Sequence, residues 1–426
     1  MRSADLVVAG SRELITCAGP LPKRGKALGA VGLVENGWVA SSKGVIVYAG
    51  DEDGFLKNVE PEPTATTIDA RGLVALPGFV DAHTHLPFAG DRAREFGLRV
   101  QGWTYQQLAE RGMGILTTVK ATRAASLDDL VALTLKRLDR MLLHGTTTVE
   151  AKSGYGLNLE DETKQLEALR DAAALHPIDI VPTFMGAHEV PPEYRDRHGD
   201  YVSLLVDTII PEIGRSGLAE FFDVFCEPGV FSAEETRRLV EAAKAAGFKI
   251  KIHADEFASQ GGAELAAEVG AVSAEHLIAI SDEGVARLAA SDTAAILLPG
   301  VPFFLMMAKR APARRLVEAG AAVALATDFN PGSSHLFSMP FILQLGVFTL
   351  GLTVEEAINA CTANAAYAIR RHQTVGSLEE GKKMDLLLCD VPDHVSLAYE
   401  AARNPVRTVI KNGKVVVEDG RRTGAR

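Results

Sequence analysis

Residues 77–92 read PGFVDAHTHLPFAGDR. An apolar run over 73–80 leads into Asp81, then His83 and His85 with one residue between them, then a glycine-bearing loop that ends at Arg92. Alternate side chains of a strand share a face. His83 and His85 therefore project together from one strand end, which is a chelating arrangement for a metal that prefers imidazole. Two solvated loop histidines would read the same way, so the rest of the chain has to decide.

Working outward, apolar runs alternate with helical stretches. Strands are expected at 73–84, 145–152, 179–188, 221–227, 248–256, 271–276, 294–299 and 322–328. Charges and leucines at helical spacing mark 127–143 and 159–175 as helices. Ser232 with Glu235, and Thr353 with Glu356, have the spacing of capping boxes. Eight strand–helix repeats over roughly 300 residues predict an α/β fold, a (β/α)8 TIM-type barrel rather than an open sheet.

The flanks have a different texture. Short β-rich runs at 5–9, 30–35, 38–40 and 45–48 are punctuated by expected turns at 35–37 and 42–44. After a helix expected over 354–368, β texture returns at 385–389, 407–411 and 414–417, the last two joined by Asn412-Gly413, a hairpin signal. The expected organisation is a composite, sandwich-like β domain from residues 1–76 plus 376–426, beside a barrel over 77–375.

Composition narrows the class. A chain of 426 residues with 47% hydrophobic and 23% charged residues is globular. A formal charge of -11 without any basic run disfavours nucleic acid as a partner. The four cysteines are scattered with no CxxC, a reduced, cytoplasmic pattern. The most apolar stretch, 294–308, is interrupted by Pro299, Gly300 and Pro302 and is too short to span a bilayer, so no membrane association is expected.

Barrel enzymes carry their chemistry at the C-terminal ends of strands. Here those ends hold His83 and His85, Lys152, His188, His253 with Glu256 just beyond, His276 and Asp328. Three imidazoles (His83, His85, His253) and the Asp328 carboxylate suit one divalent metal per subunit, Zn2+ or Fe2+/Fe3+, better than Mg2+ or Ca2+. Such an ion lowers the pKa of a water toward about 7. Glu256 is the first candidate for moving the proton and His276 the second, with Asp328 beside them. Arg92, seven residues past His85, invites a substrate carboxylate, or is a surface arginine. Tyr155, in the turn KSGYG (152–156), faces the cavity or covers a loop. Asn330 and the backbone of Gly332 and Ser333 should line the pocket, although Ser333 or Ser334 would also serve as a helix cap.

These residues resemble the amidohydrolase superfamily. The closer resemblance is to its imidazolonepropionases, through FAGDRAREF (88–96), 101–126, TVEAKSGYGLNLEDETKQL (148–166), TFMGAHEVPPEY (183–194), KIHADEF (251–257), SAEHL (273–277) and LATDFNPGSS (325–334). The resemblance implies hydrolysis of the cyclic amide C–N bond of 4-imidazolone-5-propanoate to N-formimidoyl-L-glutamate, a step of histidine degradation. It implies metal binding by His83, His85, His253 and Asp328, and substrate contacts from Arg92, Tyr155, His188, Glu256, Asn330, Gly332 and Ser333. A homodimer is also expected on this ground. A metal-dependent deaminase of a purine, pyrimidine or triazine would share the ligand set, but a carboxylate clamp formed by Arg92 and Tyr155 argues against it.

Overall fold

The computed structural model describes residues 1–103, 107 and 113–424; the rest of the family-like stretch 101–126, namely 104–106 and 108–112, lies outside the described residues. Eight parallel strands follow one another in chain order: Phe79–Asp81, Thr146–Lys152, Asp179–Ala187, Phe221–Cys226, Lys249–Ala254, Ser273–His276, Ala294–Leu297 and Ala322–Leu325. They form the predicted (β/α)8 barrel. Every residue of the strands beginning at Phe79, Thr146, Ser273, Ala294 and Ala322 is buried, as a sheet wrapped by helices requires.

Asp81 closes the seam between first and last strands. Its carboxylate accepts the Thr327 backbone N–H at 3.0 Å and the Thr327 hydroxyl at 2.6 Å. Beyond it, Asp328 N–H donates to the His83 carbonyl at 3.0 Å and His85 N–H to the Phe329 carbonyl at 2.9 Å. The chain ends that carry His83, His85 and Asp328 are thus laced together by backbone bonds.

The helices follow from their caps. Leu127–Leu143 and Leu159–Leu175 lie as predicted; the first opens on a Ser126/Asp129 capping box, the second on Asn158 accepting from Asp161 N–H. The expected boxes at Ser232/Glu235 and Thr353/Glu356 are both formed. The helix expected over 354–368 is two, Val354–Cys361 and Ala363–Ala368. Thr362 separates them at φ -130 and ψ -88, with its hydroxyl donating to the Ile358 carbonyl at 2.7 Å.

Both chain ends build a second, nine-stranded mixed sheet. Its order is Arg421–Arg422, Lys414–Glu418, Val406–Lys411, Leu386–Cys389, Val74–Pro77, Arg2–Ile15, Leu33–Ser42 and Val45–Gly50, with Val59–Asp69 parallel to Arg2–Ile15. Asn412-Gly413 and Lys43-Gly44 are two-residue hairpin turns, all four residues at positive φ.

Two expectations are corrected here. The expected turn at 35–37 lies inside the strand Leu33–Ser42, where a register irregularity opposite 8–11 and a positive φ at Asn36 absorb the polar residues. The single strand expected over 73–84 is divided, Val74–Pro77 pairing with the end sheet and Phe79–Asp81 with the barrel. Gly78 is the crossing point, because a Cβ there would fall on the Thr147 side chain. Among the described residues no helix is long and apolar enough to cross a membrane.

Candidate metal centre and active site

His83, His85 and His253, from the first and fifth barrel strands, bring ligand nitrogens within 4.8 Å of one another, and His83, His276 and Asp328 form a second such group. His83 Nε2 and His85 Nε2 each lie 3.3 Å from Asp328 Oδ1. That is too long for a good N–H···O bond. It is the separation expected of two ligands about 2.0–2.1 Å from one tetrahedral ion, roughly 3.4 Å.

The buried atoms His83 Nδ1 and Nε2, His253 Nε2 and Asp328 Oδ1 have no hydrogen-bond partner. Polar atoms stranded in this way are costly unless something else meets them. Burial holds the imidazoles neutral, as ligands must be: His85 is pushed down to about 3, His253 to about 4, and His83 well below its ordinary value. Three neutral imidazoles and one carboxylate fit a divalent cation of the zinc or iron type.

His253 is oriented from behind. Asp223 Oδ1 lies 2.9 Å from His253 Nδ1, which leaves Nε2 for the centre. Glu256 leaves the same strand end on a loop held by Glu227, whose carboxylate accepts the backbone N–H groups of Glu256, Phe257 and Ala258 at 3.0, 3.1 and 2.7 Å. Burial, then the Asp328 and Glu227 carboxylates, push the Glu256 carboxyl well above its ordinary range, which strengthens it as a base. His276 Nε2 stands 3.7 Å from Glu256 Oε2, and burial lowers His276 to about 3.

The remaining predicted contacts approach from the loops. Tyr155 and His188 lie beside His85, with ring centroids 6.0 and 5.0 Å away, the His188 ring stacked on it. The turn that presents Tyr155 is wrapped around the buried Glu162 carboxylate, which accepts N–H groups from Gly154, Gly156 and Leu157. His188 Nδ1 meets the Gly154 carbonyl at 3.0 Å. Arg92 is only partly available, because its Nε and Nη2 edge is paired with Glu95. Its Nη1 lies over Gly332, on the spot a Cβ would occupy. The polar groups expected to line the pocket at 330–333 are largely occupied within their own loop. Asn330 Oδ1 accepts from Gly332 N–H and Ser333 N–H at 2.8 Å each, and Asn330 Nδ2 donates to the Asp328 carbonyl and Ser333 Oγ.

Asp223, Glu95, Glu162 and the pairing of Lys152 are absent from the sequence reading. One signal was present: polar residues two apart inside apolar strands (Glu150 and Lys152, Lys251 and His253, Ser273 and Glu275) mark an inward-facing layer. Nothing local to Asp223 connects it with a histidine 30 residues later.

The amidohydrolase family profile matches residues 74–416. The chain is 53% identical over 422 residues to the imidazolonepropionase of Symbiobacterium thermophilum, covering 99% of each chain. It is 50% identical over 421 residues to that of Geobacillus kaustophilus, covering 98% of this chain and 99% of the relative. In three dimensions it is similar to an adenosine deaminase from Xanthomonas campestris solved with bound zinc, at a TM-score of 0.73 and 18% identity, covering 100% of this chain and 95% of that one; this likeness shows the fold. The chain belongs to the amidohydrolase family and, within it, to the imidazolonepropionases.

Proposed function

We propose that this chain hydrolyses 4-imidazolone-5-propanoate to N-formimidoyl-L-glutamate, with one divalent cation per subunit, Zn2+ or Fe2+/Fe3+, held by His83, His85, His253 and Asp328. The observation that carries the cation is the cluster of His83, His85 and His253 ligand nitrogens within 4.8 Å of one another, with His83 Nε2, His253 Nε2 and Asp328 Oδ1 buried and without a hydrogen-bond partner. The substrate comes from the near-full-length likeness to imidazolonepropionases. Such an ion supplies Lewis acidity, bringing the pKa of a water toward about 7 and polarising a carbonyl.

The reaction adds water across the lactam: a C–O bond forms at the ring carbonyl carbon, the C–N bond breaks, and the departing nitrogen needs a proton. Glu256 moves that proton. Burial makes its carboxylate a stronger base, so it accepts a proton from the attacking water and then hands it to the departing nitrogen. His276, 3.7 Å away, keeps a neutral ring beside that carboxyl and steadies it. Arg92 Nη1, its other edge locked by Glu95, meets the propanoate carboxylate, while Tyr155 and His188 flank the ring. Asn330, Gly332 and Ser333 form the wall behind that carboxylate. Cytoplasmic placement and a homodimer belong to the same reading.

The test is to offer freshly prepared 4-imidazolone-5-propanoate to zinc- or iron-loaded protein and follow the loss of its ultraviolet absorbance, with chelator-treated protein as control. Turnover that chelation abolishes is the expected result. No turnover by loaded protein, or release of ammonia in step with substrate loss, would overturn the reading, the latter in favour of a deaminase.

A further inference from the structure

The barrel interior below the imidazoles carries more charge than the ligand set uses. Glu150 and Lys152 are two apart on one strand, so both face inward. Lys152 Nζ lies 2.8 Å from Glu150 Oε1 and 2.7 Å from Asp223 Oδ2, all three side chains fully buried. Asp223 Oδ1 holds His253 Nδ1 at 2.9 Å and also accepts the His253 backbone N–H at 3.2 Å. One unbroken line of contacts therefore runs from Glu150 through Lys152 and Asp223 to His253, whose outer nitrogen is among the partnerless atoms at the centre. With Oδ1 hydrogen-bonded to His253 and Oδ2 paired by charge alone with the Lys152 ammonium, the carboxylate is held from both sides. Released on the lysine side, it could swing about its last torsion.

We propose that Lys152 is a positioning residue for the cation: by fixing one oxygen of Asp223 it aims the other at His253 Nδ1, and so presents His253 Nε2 to the ion. A purely electrostatic role predicts the opposite sign. An ammonium near a divalent ion repels it, so a lysine acting by charge alone would weaken cation binding, and its removal would tighten it. Positioning predicts that removal weakens binding, by the 10- to 100-fold typical of groups that support a ligand from behind, roughly speaking.

The experiment measures zinc affinity of the metal-free full chain by competition with a chromophoric chelator, in wild type, Lys152→Met, Asp223→Asn and the double variant. The expected result is about a 10- to 100-fold loss in Lys152→Met. The double variant should be no weaker than Asp223→Asn alone, because Lys152 acts through Asp223. Equal or tighter binding by Lys152→Met, or a loss that adds in full to that of Asp223→Asn, overturns the proposal. Should Lys152→Met not fold, Lys152→Met/Glu150→Gln removes the ammonium without stranding Glu150 and is judged against Glu150→Gln by the same criterion. The inference rests on the cation reading above. A wild-type chain that takes up neither zinc nor iron sinks that reading, whereas a zinc-binding wild type with an indifferent Lys152→Met sinks only this one.

Discussion

Asp328 and His276 both sit in the left-handed backbone region, at φ 49 and φ 70, a conformation that costs a non-glycine residue on the order of 1–3 kcal/mol. The fold tolerates this at two strand ends because it turns an acid and an imidazole toward the same centre. Glu256 shows the same logic in a side chain: a carboxyl buried beside two other acids gives up solvation and has its pKa raised, as the proton shuttle proposed above requires. Glu256→Gln should therefore retain its metal, read by elemental analysis, while kcat falls by about 100-fold or more; wild-type kcat in a metal-replete variant would remove Glu256 from the proton path. At Arg92 the expectation is different. Gly332→Ala places a methyl group where the guanidinium now lies, so it should mimic Arg92→Ala in direction. Both should raise KM, by about tenfold or about 1.4 kcal/mol, with kcat nearly kept. A carboxylate-free substrate analogue bound equally by wild type and both variants would complete the case, and an unchanged KM in both would defeat it.

Among elements, the seam between the first and last barrel strands ties structure to site. Asp81 spends its carboxylate on Thr327, and the segments just beyond carry His83, His85 and Asp328. Asp81→Ala strands the Thr327 donors in a buried seam, and we expect a loss of about 2 kcal/mol or more in denaturant unfolding of the metal-free protein, together with weaker zinc binding. An unchanged unfolding midpoint would show that the seam is held by its backbone bonds alone. Much at this scale was legible in advance, because strand ends and period-two spacing are local: the His83/His85 pair, the strand-end positions of His253 and Asp328, and helices 127–143 and 159–175 all announce themselves within a few residues. The remainder is tertiary. Asp223 acquires its partner only through the parallel pairing of Phe221–Cys226 with Lys249–Ala254. At Gly78, between the two sheets, a Cβ would fall on the Thr147 side chain, and Asn330 Oδ1 is taken up by backbone N–H groups of its own loop.

On the scale of the whole molecule, the barrel and the end sheet meet at a buried imidazole. His176 caps the C-terminal end of helix Leu159–Leu175, with Nε2 3.4 Å from Asp139 of helix Leu127–Leu143, and Arg422 of the C-terminal strand pairs with that same Asp139. Burial chiefly, and the Arg422 charge after it, lower His176 from 6.5 to about 3. The sign of the linkage follows. In the unfolded chain His176 takes up a proton below about pH 6.5, and in the folded chain it stays neutral until about pH 3. Its stabilisation is therefore complete above pH 6.5 and is lost as pH falls through the window between those values, by at most about 1.4 kcal/mol per pH unit. His176→Gln has no proton to gain, so the stability difference between wild type and variant should shift in the variant's favour from pH 7 to pH 5, by up to about 2 kcal/mol. Urea unfolding of both proteins at the two pH values, followed by far-ultraviolet circular dichroism, reads this directly. Parallel curves at pH 7 and pH 5 would mean that the imidazole takes up its proton equally in the folded and unfolded chain, with Asp139 offsetting the effect of burial.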